Sequence, residues 1–300
     1  MNASQEKGGI FFFTNLADSH QAFNFYLKVC ICILAGDCSI TRISNLQPTG
    51  PMLKYTVFNE KGGVGKTTIS ANLAAALSLR KMKVLVIDFD PKGNLTNYFL
   101  EENPIKHKRL EDVFSPDKLE SNIIEVRKNL HLLPAFNGLY AFDKTTYLSH
   151  QFSGMDDYTY IVENLLQRLR FDIIIIDALP TFNLLTLNAI QFTKYLLVPV
   201  SMNYWALRSM IELDAKVFNL TRVGRIFKII PNFHDKVTTV SRDILEELRS
   251  TFFTAVTQAV IPRRIALEKA TGASKTIFEM FPNDSAAVAF KKLAREIMIQ

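Results

Sequence analysis

The stretch Asn59-Glu60-Lys61-Gly62-Gly63-Val64-Gly65-Lys66-Thr67-Thr68 follows a short apolar run and precedes an alanine-rich segment, Ile69 to Arg80, with the composition of a helix. A strand, a glycine-rich turn and a helix in that order make a cradle for phosphate. Gly62, Gly63 and Gly65 let the backbone turn tightly, so that consecutive N–H groups can face anionic oxygens with no Cβ in the way. The helix that opens at Thr67 turns its positive end to the same place. Lys66 is placed to pair with β- and γ-phosphates, and the Thr67 hydroxyl to join the shell of a Mg²⁺ that bridges them.

Beyond that helix the chain alternates two patterns. Lys83 to Asp88, Phe171 to Asp177, Tyr195 to Val200 and Arg225 to Pro231 are continuous apolar runs, fit for strands buried on both faces. Leu130 to Pro134 reads as a further strand. Asp157 to Arg170, Asn183 to Phe192, Tyr204 to Leu220 and Val240 to Thr251 have helical character and lie between or after them. The expected fold is α/β, a doubly wound, mostly parallel sheet flanked by helices. Ligands of such sheets collect at the carboxyl ends of strands, where Asp88 and Asp177 stand. Their two strands are both expected to lie beside the one that feeds the glycine loop.

The general pattern G-x-x-x-x-G-K-[ST] fails here, because Glu60 occupies the place of its first glycine. Lys61 before the first glycine and the doublet Thr67-Thr68 instead resemble the deviant Walker A motif K-G-G-x-G-K-T-T of the ParA/MinD family of P-loop ATPases. The resemblance covers about Met52 to Gln300. It implies ATP and Mg²⁺ as cofactors, bound by Gly62, Gly63, Val64, Gly65, Lys66, Thr67 and Thr68. It also implies a homodimer that sandwiches ATP, in which Lys61 reaches the nucleotide of the facing subunit and joins Lys66 in catalysis.

Asp88-Phe89-Asp90-Pro91-Lys92-Gly93-Asn94 resembles the family's switch segment D-x-D-P-Q-G-N, with Lys92 where glutamine is usual. By that resemblance Asp88 supports the metal's water shell, Asp90 positions the attacking water, and Asp177 is the Walker B aspartate, an outer ligand to the metal. After Asp177 the family usually continues Pro-Pro-Ser, whereas this chain has Ala178-Leu179-Pro180-Thr181. Ile229 to Asp235 resembles the stretch whose polar residue recognises adenine, which makes Asn232 the candidate.

Composition sets outer bounds. Three hundred residues, 48% of them hydrophobic, suffice for one large α/β domain. Five scattered histidines in no metal-binding spacing point to neither a zinc site nor a histidine triad. Residues 1–51 carry Lys7, Lys28 and Arg42 against Glu6, Asp18 and Asp37, and they hold all the cysteines, Cys30, Cys32 and Cys38. Poor disulfide spacing there makes a reduced, cytoplasmic protein the default, and the lack of cysteine after Met52 excludes the iron–sulfur role of related nitrogenase iron proteins. The apolar run Ala22 to Ala35 is shorter than the roughly 18–20 residues of a transmembrane span and contains Asn24 and Lys28. No transmembrane segment is expected. The extension lies either upstream of a natural start at Met52 or forms an appendage to an ATPase domain over 52–300.

The formal charge is +6, and from Thr221 onward thirteen basic residues face eight acidic ones. Val260-Ile261-Pro262-Arg263-Arg264 resembles the family's I-P-R-N, whose arginine binds DNA, and Arg264 adds a second charge. The family often continues its adenine stretch with D-x-R-T; Val237 stands in the place of that arginine, with Lys236 beside it. The resemblance therefore implies nonspecific binding of double-stranded DNA through Arg263, Arg264 and Lys236, a ParB-like adaptor that stimulates hydrolysis, and nucleoid-associated work in moving plasmid or chromosomal cargo. A MinD-like membrane-cycling regulator and a relative that positions a non-DNA cargo are the alternatives. The final helix, from Ser285, puts Ala286, Phe290, Leu293, Ala294 and Ile297 on one stripe and is expected to dock on the sheet.

Overall fold

The apolar runs become strands because a sheet covered by helices on both faces sends alternate side chains into two cores and keeps no solvent side. The computed structural model describes residues 52–143, 161–221 and 225–298. The expectations about residues 1–51 and the first residues of the helix expected over 157–170 lie outside them. One seven-stranded sheet has the order β3-β4-β2-β5-β1-β6-β7. Its members are β1 (Leu53–Val57), β2 (Val84–Asp88), β3 (Ile124–Arg127), β4 (Leu130–Leu133), β5 (Ile173–Asp177), β6 (Tyr195–Ser201) and β7 (Arg225–Asn232).

Every neighbouring pair is parallel except β3 and β4. That edge hairpin turns at Asn129, whose φ of 62° lies in the left-handed region that asparagine tolerates. Strand β3 is half-exposed and carries Glu125 and Arg127, so its sequence lacks the apolar run that marks the other strands.

The helices are α1 (Lys66–Ser78), α2 (Asn94–Phe99), α3 (Leu110–Val113), α4 (Ile161–Leu166), α5 (Leu184–Thr193), α6 (Ala206–Thr221), α7 (Thr239–Phe252), α8 (Ile265–Gly272), α9 (Ile277–Met280) and α10 (Ser285–Met298). Helix α4 ends at Leu166, four residues short of the expected Arg170. On one face of the sheet, Tyr55, Val57, Val86 and Ile175 pack against the residues of α1 and α10. On the other, Leu85, Ile87, Ile174 and Ile176 meet α4 and α5, while Leu196, Val198 and Ile229 meet α6 and α7. Truncating one such buried isoleucine to alanine costs about 2–5 kcal/mol, a large part of a domain's stability.

Helix α1 is buried over Ile69 to Ser78, and its small residues Ala71, Ala74, Ala75 and Ala76 let both sheet and α10 come close. The stripe on α10 is consumed by this docking: Ala286, Phe290, Leu293, Ala294 and Ile297 are buried, and the Tyr55 hydroxyl donates to the Ile297 carbonyl at 2.7 Å. Among the described residues no helix is long and apolar enough to cross a membrane.

Candidate active site

The glycine loop runs from the end of β1 to the start of α1, at the carboxyl edge of the sheet. Gly63 and Gly65 have φ of 72° and 88°, the left-handed region that glycine enters without a Cβ penalty. A Cβ on Gly65 would also overlap the Asn232 amide nitrogen, so two reasons hold glycine at that position. Asn59 anchors the loop: its side chain accepts from Lys61 N–H at 2.9 Å and donates to the Pro199 carbonyl at 2.9 Å. Among the described residues the N–H groups of Gly62, Gly63, Val64 and Gly65 find no protein acceptor, which is the state of an anion nest. Lys66 Nζ crosses the loop and donates to the carbonyls of Asn59 at 3.0 Å and Lys61 at 3.2 Å. Burial pushes its pKa down, while Asp177 and Asp90 oppose that shift.

Two carboxylates lie beneath the loop. Asp88 and Asp177 are partners in register at the ends of β2 and β5, and both are buried. Asp177 accepts from the Thr67 hydroxyl at 2.8 Å and from the Ser70 hydroxyl at 2.9 Å. Asp88 accepts from both N–H and hydroxyl of Thr96 at 2.8 Å, and from Asp90 N–H at 3.1 Å. The expectation that both strands flank β1 fails for β2, because β5 is inserted between them. Crossover connections, not strand patterns, decide that order, and here they bring the two aspartates side by side.

Burial pushes the Asp88 carboxyl up to about 8, with the neighbouring Asp177 adding to the shift against the hydrogen bonds from Thr96 and Asp90. Burial also raises Asp177 to about 6, against the hydroxyls of Thr67 and Ser70 and the charge of Lys66. A proton or a bound cation relieves such a pair. The donor set, one hydroxyl and two carboxylates, suits a hard cation that keeps waters and takes phosphate oxygens. Among the described residues no group of three or more His, Cys, Asp or Glu builds a cage of its own.

A pH dependence follows. The folded chain holds the Asp88 proton until about pH 8, whereas the unfolded chain releases it near the ordinary value of 3.8. Above that value the unfolded state binds fewer protons, so the stability of the ligand-free protein falls as pH rises and levels off past the folded pKa. Asp88→Asn removes this penalty. In calorimetry the variant is expected to melt like the parent near pH 4 and to gain several degrees over it at pH 8, about 2–4 °C per kcal/mol for a domain of this size. Equal melting shifts at both pH values would contradict it.

A family profile describing an AAA domain matches residues 52–226. The chromosome-partitioning ATPase Soj of Thermus thermophilus is 32% identical over 252 residues, covering 82% of this chain and 95% of that protein. The chain belongs to the ParA/MinD family of P-loop ATPases. The sporulation initiation inhibitor Soj of Bacillus subtilis is 29% identical over 80% of this chain and 96% of its own. The fold is shared with an ATP complex of Cyanothece McdA, at TM-score 0.70 and 22% identity over 83% of this chain and 97% of that one. A putative plasmid partition protein of Borrelia burgdorferi bound to AMPPNP aligns at TM-score 0.67 and 22% identity over 83% and 99%.

The remaining residues marked by the ParA/MinD resemblance fall in three places. Lys61 Nζ donates to Asn203 Oδ1 at 3.3 Å, at the start of α6. Asp90 is half-buried in the turn after β2, where its carboxylate accepts from Lys92 N–H at 3.0 Å. Asn232 is buried at the end of β7, donating an amide N–H to the Val64 carbonyl at 2.8 Å, so it braces the phosphate loop. Arg263 and Lys236 are exposed on neighbouring segments joined by the His234–Pro262 bridge and by Arg263 N–H to the His234 carbonyl at 3.0 Å.

Arg264 is exposed as well, but its charge has a partner. It makes an ion pair with Asp284 at 2.8 Å, and this hydrogen bond raises its pKa. Ser70, Asn59, Thr96 and Asn203 support the site but were not singled out in sequence. Ser70 lies one turn beyond Thr67, in a helix that also carries Asn72 and Ser78.

Proposed function

We propose that this ParA/MinD-type ATPase, contained in residues 52–300, binds ATP with Mg²⁺ and closes into a homodimer in that state. The dimer holds duplex DNA nonspecifically and releases it after hydrolysis stimulated by a ParB-like adaptor, so that plasmid or chromosomal cargo is positioned over the nucleoid within the cytoplasm. The observation that supports this reading most is the nest of unpaired N–H groups above Thr67, Asp177 and Asp88. Thr67, Asp88 and Asp177 would hold Mg²⁺, which when bound neutralises charge across the β- and γ-phosphates.

The chain's own residues supply positioning. Gly62, Gly63, Val64 and Gly65 offer N–H donors, Lys66 pairs with the phosphates, and Thr67 and Thr68 open the helix that points at them. Asp90 accepts a hydrogen bond from the attacking water and orients it in line, and Lys61 reaches the nucleotide of the facing copy. Asn232, which braces the loop at the Val64 carbonyl, would recognise adenine. Phosphoryl transfer to water needs no covalent intermediate, so orientation and electrostatics carry the rate.

Relatives described as chromosome-partitioning proteins favour DNA as the surface. Docking buries the apolar stripe of α10 against α1 and the sheet, which disfavours the MinD-like alternative. Anisotropy on random-sequence duplex across a salt series, beside anionic vesicles, tests the choice. Binding is expected only with ATP, and Arg263→Ala to lower the log–log salt slope by about one unit per lost contact per subunit. Arg264→Ala is expected to do less, because Asp284 already holds that charge. ATP-independent binding, or an unchanged slope in Arg263→Ala, would leave a non-DNA cargo as the better reading.

A further inference from the structure

Helices α6 and α7 cover β6 and β7 on one face of the sheet, and each buries a stripe there: Met210, Leu213 and Val217 from α6, Ile244, Leu245 and Leu248 from α7. Large apolar side chains outside those stripes stay in water. Ile211 is 51% and Phe218 80% exposed, two turns apart on the same side of α6. Between the helices runs a groove of about 460 Å³, lined by Ile211, Ala215, Phe218 and Phe252 with the polar Asp214 and Thr251. An apolar arc wider than the core requires is a surface for something else. Arg225, which also lines the groove, opens β7 and pairs in register with Tyr195, the first residue of β6. The groove therefore reaches the amino edge of the sheet, whereas the glycine loop stands at the carboxyl edge.

Charge decides what fits there. On α7, Glu247 and Asp243 precede Thr251 by one turn and two, so they share its side of the helix with the groove. Asp214, Asp243 and Glu247 are all exposed, and none forms an ion pair with a described residue. Arg242 and Arg249 fall on the far side of α7 from Thr251. Arg225 is already engaged: its guanidinium lies 4.9 Å from the centroid of the Tyr195 ring and donates to the Tyr195 hydroxyl at 3.0 Å. In a chain of formal charge +6, an apolar groove flanked by free carboxylates is a local reversal of sign.

We propose that the groove between α6 and α7 receives an amphipathic helix of a partner protein. Its apolar side chains sit on Ile211, Phe218 and Phe252, and lysines or arginines on its flanks meet Asp214, Asp243 and Glu247. Such recognition uses anchors at i, i+3 or i+4, and i+7, the span from Ile211 to Phe218. The apolar floor supplies affinity, while the acidic rim steers a basic helix and rejects an acidic one. None of these residues belongs to the phosphate loop or to the surface of Arg263 and Lys236, so the inference stands apart from the nucleotide and DNA readings.

The probe is a fluorescein-labelled helical peptide of about five turns, with leucine at i, i+3, i+4 and i+7 and lysine beside them. The same peptide with glutamate for every lysine is the control, and anisotropy is read on the full chain without nucleotide. The lysine peptide is expected to bind at least about 10-fold more tightly than the glutamate peptide, a preference that shrinks as salt rises. Phe218→Ser, at an exposed position, is expected to leave circular dichroism unchanged and to weaken binding on the order of 10- to 100-fold. Asp214→Lys combined with Glu247→Lys should reverse the order of the two peptides. No binding, equal binding of both peptides, parental affinity in Phe218→Ser, or an unchanged order in the double variant overturns the proposal. Self-association of the parent in sedimentation that Phe218→Ser abolishes overturns it too, because the groove then belongs to a second copy.

Discussion

Lys66→Ala is expected to abolish ATP binding, weakening it by more than about 100-fold. The ammonium is half-buried and crosses the loop to the Asn59 and Lys61 carbonyls, so it brings a full positive charge to the N–H groups of Gly62, Gly63, Val64 and Gly65, which lack protein acceptors among the described residues. Removing one member of a partly buried charge pair costs about 2–5 kcal/mol, because the remaining charge is left without its partner. Lys66→Arg should not restore binding, since a planar fork cannot replace a compact ammonium in a closed turn. Titration with a fluorescent ATP analogue reads the effect directly. Near-parental affinity in Lys66→Ala would mean that the loop does not cradle phosphate.

Asp90→Ala should behave in the opposite way. Asp90 is half-buried beside the buried pair, and its recorded partner is the N–H of Lys92, not a group of the loop. Its proposed role is toward the attacking water, so ATP affinity should change only a few-fold while turnover falls about 10²–10⁴-fold, the range for loss of a positioned acid–base group. The ATP dimer should then persist for the length of a sedimentation run that the parent does not survive. Retained turnover would remove Asp90 from the mechanism. Binding lost together with turnover would instead make it a residue of the nucleotide pocket. The contrast between Lys66 and Asp90 separates holding the triphosphate from hydrolysing it.

Much of this was legible in the chain because it depends on short-range rules. Glycines at 63 and 65 are needed by a left-handed backbone, and a loop between strand and helix has few other uses for Lys66 and Thr67 in that order. The short β-branched run Ile173 to Ile176 favours a strand buried on both faces, and the stripe from Ala286 to Ile297 favours a helix with one apolar side. In each case the signal sits within a dozen residues, where periodicity and backbone preference act.

What tertiary structure alone decided are contacts between residues far apart in the chain. The meeting of Asp88 and Asp177 requires β5 to enter the sheet between β2 and β1, an order set by the crossover helices and silent in either strand. The ion pair of Arg264 with Asp284 joins the ends of two loops twenty residues apart, a partner that the local sequence around Arg264 does not show. The pairing of Lys61 with Asn203 depends on where β6 delivers the start of α6. Strand β3 shows the same limit from the other side: an edge strand half in water needs no apolar run, so only its partner β4 reveals it. Local sequence determines which backbone each segment adopts, whereas the charge state and partners of a side chain depend on the whole field of segments packed around it.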